Sequence, residues 1–248
     1  LIDLGAGNCA KAASLMPALQ PLQYVPIDIS VAFLRDAVRR LQYQFPQVQM
    51  TGIGMDFSRS LLLPDAVQRR QRLFFYPGSS IGNFAPDEAL AFLRRIHAAC
   101  VFDGKADGGL LISVDLIKDA SLLDAAYDDA LGVTASFNLN LLLHLNRLLS
   151  ADFDLRGWQH RGFFNAEQSR VEMHLEARTA QTVRWPGNGL RRFEAGERIH
   201  TENSYKYTRQ GFVNLLTQAG FRDVTVWTDP REWFLVCHAR ATTPERFV

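Results

Sequence analysis

Leu1-Ile2-Asp3-Leu4-Gly5-Ala6-Gly7-Asn8-Cys9-Ala10-Lys11 opens the chain, and its reading decides the fold. The apolar positions Leu1, Ile2 and Leu4 suit a strand covered on both faces, and Gly5 and Gly7 give the backbone freedom for a sharp turn and a close ligand approach. A helix is expected to begin near Asn8. The next strand, YVPIDIS (24–30), is closed by Asp28, at about the distance where a ribose-binding carboxylate falls in dinucleotide folds. Ala10 replaces the third glycine of that fingerprint, and no diphosphate-specific run follows.

Outward from this stretch, strands alternate with helical periodicity, which predicts a parallel sheet wound with helices. Ser30 is placed to cap a helix with Leu34, Ala37, Val38 and Leu41 on one face. A third strand over 48–54 ends at Met55-Asp56-Phe57. A fourth, RLFFYPGSSIGNF (72–84), enters a polar glycine turn, and Pro86-Asp87-Glu88 then open a helix with Leu90, Leu93, Ile96 and Cys100 inward. The fifth, GGLLISVDLI (108–117), ends at Asp115 to Lys118. From Ser121 the alternation stops. A helical region carries Leu122, Leu123, Ala126, Tyr127 and Ala130, then LNLLLHLNRLL (139–149). A β-rich stretch, RVEMHLEARTAQTVRW (170–185), a turn at 186–189 and FEAGERIHTENSYKY (193–207) follow. A helix from Arg209 to Ala219 and the strands DVTVWT (223–228) and WFLVCHAR (233–240) return the chain to the sheet.

These elements predict a doubly wound α/β domain over 1–118 and 207–248 with an inserted α+β substrate lobe over 119–206. A terminal antiparallel hairpin on a five-strand parallel sheet is the Rossmann-like arrangement of class I S-adenosylmethionine-dependent methyltransferases, an analogy at the level of fold. The 248 residues, 47% hydrophobic and 21% charged, are ordinary globular usage. A net charge of +1, with no basic run, gives no footprint for nucleic acid. Cys9, Cys100 and Cys237 are far apart in apolar surroundings and read as reduced core thiols. No metal-ligand spacing, transmembrane span or signal peptide is visible. A monomeric cytoplasmic enzyme acting on a small molecule is expected. The chain lacks an initiator Met and opens inside a strand, so a preceding segment is also expected.

Ligands of open α/β sheets sit outside the carboxyl ends of strands, which limits the candidates. Gly5 and Gly7 would cradle the methionine part of S-adenosylmethionine. Asp28 would accept from the ribose hydroxyls, and Asp56 from the adenine amino group beside Phe57. Lys11 could pair with the cofactor's carboxylate, relieving its own unfavourable place in a first helical turn. Asn83, in the turn from Gly78 onward, offers a donor and an acceptor where a methyl acceptor would approach. Plainer roles stay open: Asp28 as a helix cap, Asp56 as a turn residue, Asn83 bonded to its own backbone.

DLGAGNCAK, YVPIDIS, YPGSSIGNF, AAYDDALGVTASFNLNLL after DLIKD, and IHTENSYKY together resemble the histidine Nα-methyltransferases, which make hercynine, the precursor of ergothioneine. The resemblance runs over essentially the whole chain. AYDDALGVTASFN and TENSYKY are its most specific parts. It implies that Gly5, Lys11, Asp28 and Asp56 hold S-adenosylmethionine with Phe57 beside the adenine, and that the Gly78 carbonyl lies near the reacting nitrogen. It implies also that Asn83 and Tyr127 anchor the amino and carboxylate end of the substrate, that Glu202 and Ser204 bond the imidazole, and that Met173 forms an apolar wall. An N-terminal segment that adds tyrosines to the pocket in the family is absent from this sequence.

The residue chemistry is compatible with these roles. Asn83 and Tyr127 supply neutral hydrogen bonds beside an incoming sulfonium, where a guanidinium would be unfavourable. Glu202 and Ser204, two apart on one strand face, match a ring bearing N–H groups. Without the resemblance, Glu202 reads as an exposed carboxylate paired with Lys206 or Arg198, and Tyr127 and Met173 as core. His97, His144 and His174 read as packed; His200 adjoins the substrate strand. Tyr207 either closes the pocket or packs. No dedicated catalytic base is expected, because an α-amino group titrates at ~8 or higher and part of it is already unprotonated near neutrality. The alternatives are an aromatic amino acid such as tryptophan as acceptor, or a protein that binds S-adenosylmethionine without catalysis.

Overall fold

The computed structural model describes residues 1–243. In chain order its strands and helices are β1 Ile2–Leu4, α1 Ala10–Leu19, β2 Gln23–Asp28, α2 Val31–Gln44, β3 Gln49–Met50, β4 Ile53–Gly54, β5 Leu73–Tyr76, α3 Pro86–Ala99, β6 Val101–Phe102, β7 Lys105–Ala106 and β8 Gly109–Asp115. Next come α4 Ala120–Tyr127, α5 Val133–Leu149, β9 Trp158–Asn165, β10 Arg170–Ala177, β11 Gln181–Trp185, β12 Gly189–Phe193 and β13 Arg198–Tyr205. The chain returns through α6 Arg209–Gln218, β14 Phe221–Thr228 and β15 Phe234–Ala241. Two compact units result: one holds Leu1–Ile81, Ala85–Leu116 and the chain from Tyr207 onward, the other Gly82–Phe84 and Ile117–Lys206.

In the first unit the sheet runs β14-β15-β8-β5-β1-β2-β3, with β4 also on β2. β1 pairs in parallel with β2 and β5, and β5 with β8, while β15 runs antiparallel to β8 and β14 to β15. This is the doubly wound sheet with a terminal antiparallel hairpin. β1 sits where the winding reverses, so the carboxyl ends of β1, β2 and β5 open on one crevice. The single third strand expected over 48–54 is two short pieces. Tyr24, Pro26 and Asp28 face that edge, where the carbonyls of Tyr24 and Asp28 accept from Thr51 and Met55. Pro26 between them has no N–H to give, so the ladder breaks opposite it. Ser30 occupies the N-cap position of α2, but its hydroxyl makes no cap bond. In α3, Ala89 and Phe92 are buried with Leu93 and Ile96, whereas Leu90 is only half-buried.

The core beneath the glycine turn includes Cys9, Met16, Tyr24, Leu34 and Phe75. Cys9, Cys100 and Cys237 are all buried free thiols, and burial pushes Cys100 and Cys237 up to about 12. Asp3 is buried too, and its Oδ2 accepts from Tyr24 Oη at 2.7 Å. Burial raises its carboxyl to about 6. Because that is above the unfolded value, the group favours folding fully only below the ordinary Asp range, and this contribution is lost as pH rises through about 6. The shift corresponds to about 3 kcal/mol. Asp3→Asn is therefore expected to be more stable than the parent at pH 8, by an amount approaching that figure, with the gain absent at pH 4. Urea unfolding at both pH values checks this; a gain equal at the two would show that Asp3 ionises freely.

In the second unit the single helical region expected after Ser121 is two helices. α4 ends at Tyr127, and α5 begins after Gly132, whose φ of +69° suits glycine. Asp129 bridges the break by accepting from the backbone N–H groups of Val133 and Thr134, which hold its carboxyl down at about 2. β9, β10 and β13 form an antiparallel sheet in the order β13-β10-β9, and β11-β12 is a hairpin. β9 went unrecognised in the sequence. Trp158, Leu142, Leu175 and Phe193 make this unit's core, with Trp158 edge-on to Phe193 at 5.0 Å. Among the described residues no helix is long and apolar enough to cross a membrane.

Candidate active site

The cofactor candidates all lie in the first unit, after strand carboxyl ends. β1 delivers the chain to Gly5 (φ +68°) and Gly7 (φ +53°), the conformations for which glycine is favoured. A β-carbon on Gly5 would stand 3.6 Å from Phe57 Cζ, so Phe57 walls the turn. Its ring in turn packs edge-on against Tyr76 at 5.7 Å. Asp28 Oδ2 accepts from Gly7 N–H at 3.0 Å and Oδ1 from Ser30 N–H at 2.9 Å. The acid thus ties the glycine turn to the start of α2 and keeps lone pairs for further donors. Gly78 (φ +84°) donates its N–H to Ser113 Oγ at 2.9 Å, and a β-carbon there would come within 2.9 Å of Lys11 Nζ. Asp56 is exposed. Its Oδ1 accepts from the Ser58 hydroxyl and N–H, and Arg59 lies 3.3 Å from Oδ2; the Ser58 hydroxyl contributes most to holding its carboxyl low. Tyr207 packs edge-on against Phe212 at 5.0 Å.

The amino-acid candidates all lie in the second unit. On β10 and β13, Met173 stands opposite Glu202 and Val171 opposite Ser204. An extra residue on β13, Thr201, bulges between Glu202 and His200 and donates its hydroxyl to Met173 carbonyl oxygen at 2.9 Å. Met173, Glu202 and Ser204 therefore share the sheet face toward α4 and α5, with His200 and Arg198 on the other. Asn83 is exposed and lines a cleft of about 340 Å³ with His200, Thr201, Glu202 and Asn203. Glu202 also borders an adjacent hollow with His144 and Phe137 of α5, where His144 is exposed rather than packed. Burial raises the Glu202 carboxyl. Neither plain partner reaches it: Arg198 pairs with Glu176 at 2.7 Å, and Lys206 turns to Tyr127 and Ser204.

Lys206 and His160 were missed in the sequence. Lys206, buried, donates to Tyr127 Oη at 2.7 Å and to Ser204 Oγ at 2.9 Å, and those two oxygens are 2.9 Å apart. Beside the neutral pair Asn83 and Tyr127 named from the sequence, the structure thus adds an ammonium on the Tyr127 hydroxyl. His160 of β9 lies 2.7 Å by Nε2 from the Tyr127 carbonyl oxygen, so its hydrogen is on Nε2, and Nδ1 accepts from Asn138 Nδ2 at 3.0 Å. Asn138 donates also to the His174 carbonyl oxygen at 3.1 Å, and a β-carbon on Gly162 would meet the Tyr127 carbonyl oxygen at 2.6 Å. The last turn of α4 is thus clamped onto β9. His160→Phe is expected to raise KM for the amino acid about tenfold, the worth of about 1.4 kcal/mol, with His160→Gln, which keeps an N–H donor, restoring part of it. Steady-state kinetics of both variants checks this; unchanged KM in each would make the clamp dispensable.

Sequence spacing gave no metal cluster, yet Glu172, His174 and His200 bring ligand atoms within 4.8 Å of one another. The Glu172 carboxylate and one nitrogen of each ring are otherwise bonded, His200 Nε2 lying 3.2 Å from the Glu202 carbonyl oxygen, while His174 Nδ1 is buried without a hydrogen-bond partner. Glu172 Oε1 accepts from Arg170 at 2.8 Å and Asn165 at 3.0 Å, Oε2 faces His174 Nε2 at 3.0 Å, and the His174 and His200 rings stack at 4.5 Å. A guanidinium already on the carboxylate opposes a second cation there.

A parallel sheet with a glycine turn after its central strand, an acid after the next strand and a terminal antiparallel hairpin defines the class I S-adenosylmethionine-dependent methyltransferase fold. The model of a family described as "Histidine-specific methyltransferase, SAM-dependent" matches residues 1–241, and the chain belongs to that family. It is 38% identical over 235 residues to the histidine N-alpha-methyltransferase of Mycolicibacterium smegmatis, covering 93% of this chain and 71% of the relative. It is 35% identical over 234 residues to the Mycobacterium tuberculosis protein of the same name, covering 92% and 71%. Among solved structures, the S-adenosylmethionine-dependent methyltransferase SibL superposes with a TM-score of 0.50 at 15% identity, over 97% of this chain and 50% of that one, a likeness of fold.

Proposed function

We propose that the protein methylates the α-amino nitrogen of histidine three times, giving hercynine for ergothioneine biosynthesis, with the first unit binding the cofactor and the second the amino acid. The observation that carries this reading is Glu202. It is a partly buried carboxylate with no hydrogen bond or ion pair to its side chain among the described residues, facing across to Met173 and lining one cleft with Asn83. An indole would give it one N–H and no partner for Ser204, whereas an imidazole offers both of its nitrogens. That favours histidine over tryptophan.

The first unit fits the cofactor by its own geometry. The glycine turn is open for close approach beside Gly7, where a β-carbon would meet nothing within 4 Å. Lys11 Nζ stands beside Gly78 to pair with a carboxylate, Asp28 retains acceptor capacity for hydroxyls, and Phe57 gives a flat apolar wall. S-adenosylmethionine, when bound, would supply an electrophilic methyl group: the lone pair of the unprotonated amine would form the N–C bond as the S–C bond breaks, S-adenosylhomocysteine would leave, and the first two products would lose a proton to water before the next transfer. Asn83 and Tyr127 orient the amino and carboxylate end of the substrate, and holding the reactants in register is worth about 7 to 11 kcal/mol. No general base is required. Three buried reduced thiols accord with a cytoplasmic setting, and a monomer acting on a free amino acid, with no nucleic-acid partner, completes the reading.

Calorimetric titration of histidine and tryptophan into protein saturated with S-adenosylhomocysteine tests the assignment. Histidine is expected to bind and tryptophan not. Cofactor binding with neither amino acid bound would remove the acceptor assignment.

A further inference from the structure

Lys206, at the end of β13, is 3% exposed and sits 4.5 Å above the Tyr127 ring centre. Its Nζ, Tyr127 Oη and Ser204 Oγ form a triangle with sides of 2.7, 2.9 and 2.9 Å. An ammonium has donors and no acceptor, so each oxygen must accept one bond from it. The contact between the two oxygens consumes one hydroxyl hydrogen. One hydroxyl hydrogen is left, and it must point out of the triangle.

A phenol is a more acidic, stronger donor than an alkyl hydroxyl, and a weaker acceptor. Tyr127 therefore donates to Ser204. Both lone pairs of Ser204 are then filled, by Lys206 and by Tyr127, and Ser204 can only donate outward. We propose that Lys206 is a specificity-determining positioning residue: it fixes Ser204 as a donor, so that the lobe takes a neutral imidazole, protonated on the nitrogen facing Glu202 alone, and rejects the imidazolium. This rests on the reading of histidine as the acceptor. One physical effect decides this: an imidazolium would bring a second N–H against the Ser204 hydrogen, donor facing donor, and this outweighs the pull of the Glu202 carboxylate on the charged ring. Among the described residues, the titratable groups lining these clefts or bonded to this triangle include Glu202 and His200 on β13, Tyr127 on α4 and His144 on α5.

The first test is nitrogen NMR of ring-labelled histidine bound to the S-adenosylhomocysteine complex at pH 6, where free histidine is mostly protonated. One protonated and one bare ring nitrogen are expected in the bound state. Two protonated nitrogens would overturn the inference while leaving histidine as substrate. Failure of histidine to bind, with S-adenosylhomocysteine still bound, would instead overturn the substrate reading and this inference with it. In titrations, histidine is expected to bind the parent roughly fourfold more weakly at pH 6 than at pH 8, the change in its neutral fraction. Lys206→Met should bind histidine about tenfold more weakly at pH 8, one charge-assisted bond being lost. Its bound ring at pH 6 should carry protons on both nitrogens. A Lys206→Met complex whose ring stays neutral would show that the lysine does not set the donor. The NMR measurement on the parent needs no variant to fold.

Discussion

Glu202→Ala is expected to lower kcat/KM for histidine by roughly 30- to 4000-fold while leaving S-adenosylhomocysteine affinity within about threefold of the parent. The range follows from the about 2 to 5 kcal/mol lost when one partner of a hydrogen-bonded, partly buried charged contact is truncated, at about 1.4 kcal/mol per tenfold. The loss should fall mainly on KM, because an imidazole several bonds from the reacting nitrogen is held much the same in substrate and transition state. Glu202→Gln keeps the shape and one acceptor oxygen, and should recover about a tenth to a third of the activity. The parent's pH dependence carries the same signature. Burial raises the Glu202 carboxyl above the ordinary Glu range, so its acceptor role is complete only above that raised value and fades as pH falls through it. Glu202→Gln should lack this limb. Parallel losses of amino-acid and cofactor affinity in Glu202→Ala would assign Glu202 to the frame of the lobe and leave the imidazole without a recognised partner.

The first unit was legible because its signals are local. A glycine turn needs positive φ wherever it occurs, and Gly5 and Gly7 have it; an apolar run bounded by turns reads as a strand whatever lies beside it. The breaks inside elements were harder. The split of the third strand comes from Pro26, on a neighbouring strand, through a donor that is not there, and no pattern within 48–54 records it. β9 was overlooked because Gly162 interrupts an alternation that its partner β10 completes.

The second unit shows a different limit. Glu202, Ser204 and Met173 were named as candidates from the resemblance, since their residue types alone read as a paired carboxylate and core, and the bulge at Thr201 leaves the i, i+2 relation between Glu202 and Ser204 intact. Lys206 and His160 act only through partners far away in sequence: 79 residues separate Lys206 from Tyr127, and 33 separate His160 from it. The sequence offered Lys206 only as a partner for Glu202, and the folded chain shows instead that it donates to two hydroxyls, those of Tyr127 and Ser204. His160 carried no pattern at all, since a histidine that bonds a backbone carbonyl needs no particular residue type there. The general lesson is that groups which touch a ligand have characteristic chemistry, while groups that orient them are identified by their bonds.

Asp28→Ala is expected to weaken S-adenosylhomocysteine binding by about 100-fold or more, the second of the two largest effects. Two losses add. The carboxylate is proposed to accept from ribose hydroxyls, and a charged acceptor contributes about 1.5 to 3 kcal/mol. It also accepts from Gly7 N–H at 3.0 Å and from Ser30 N–H at 2.9 Å, bracing the turn that must stay open for the ligand. Asp28→Asn separates the two contributions. An amide keeps one oxygen for one backbone N–H but turns an NH2 group toward the other, where donor meets donor. It should therefore bind the cofactor nearly as poorly as Asp28→Ala, although its volume is unchanged. The residues proposed to recognise histidine lie in a separate unit, so the fold of β9, β10 and β13 should persist, and amide hydrogen exchange there should match the parent. If Asp28→Asn bound S-adenosylhomocysteine within about threefold of the parent, the charge would be irrelevant and Asp28 would be only the brace between Gly7 and Ser30. If both variants lost binding and also lost exchange protection in β1 and β2, the turn itself would depend on the carboxylate, and the ribose contact would have to be measured with a 2′-deoxy cofactor analogue on the parent instead. The expected pattern is loss of affinity in both variants with protection retained in both, because β1 keeps its parallel pairing to β2 and β5 through backbone bonds that Asp28 does not make.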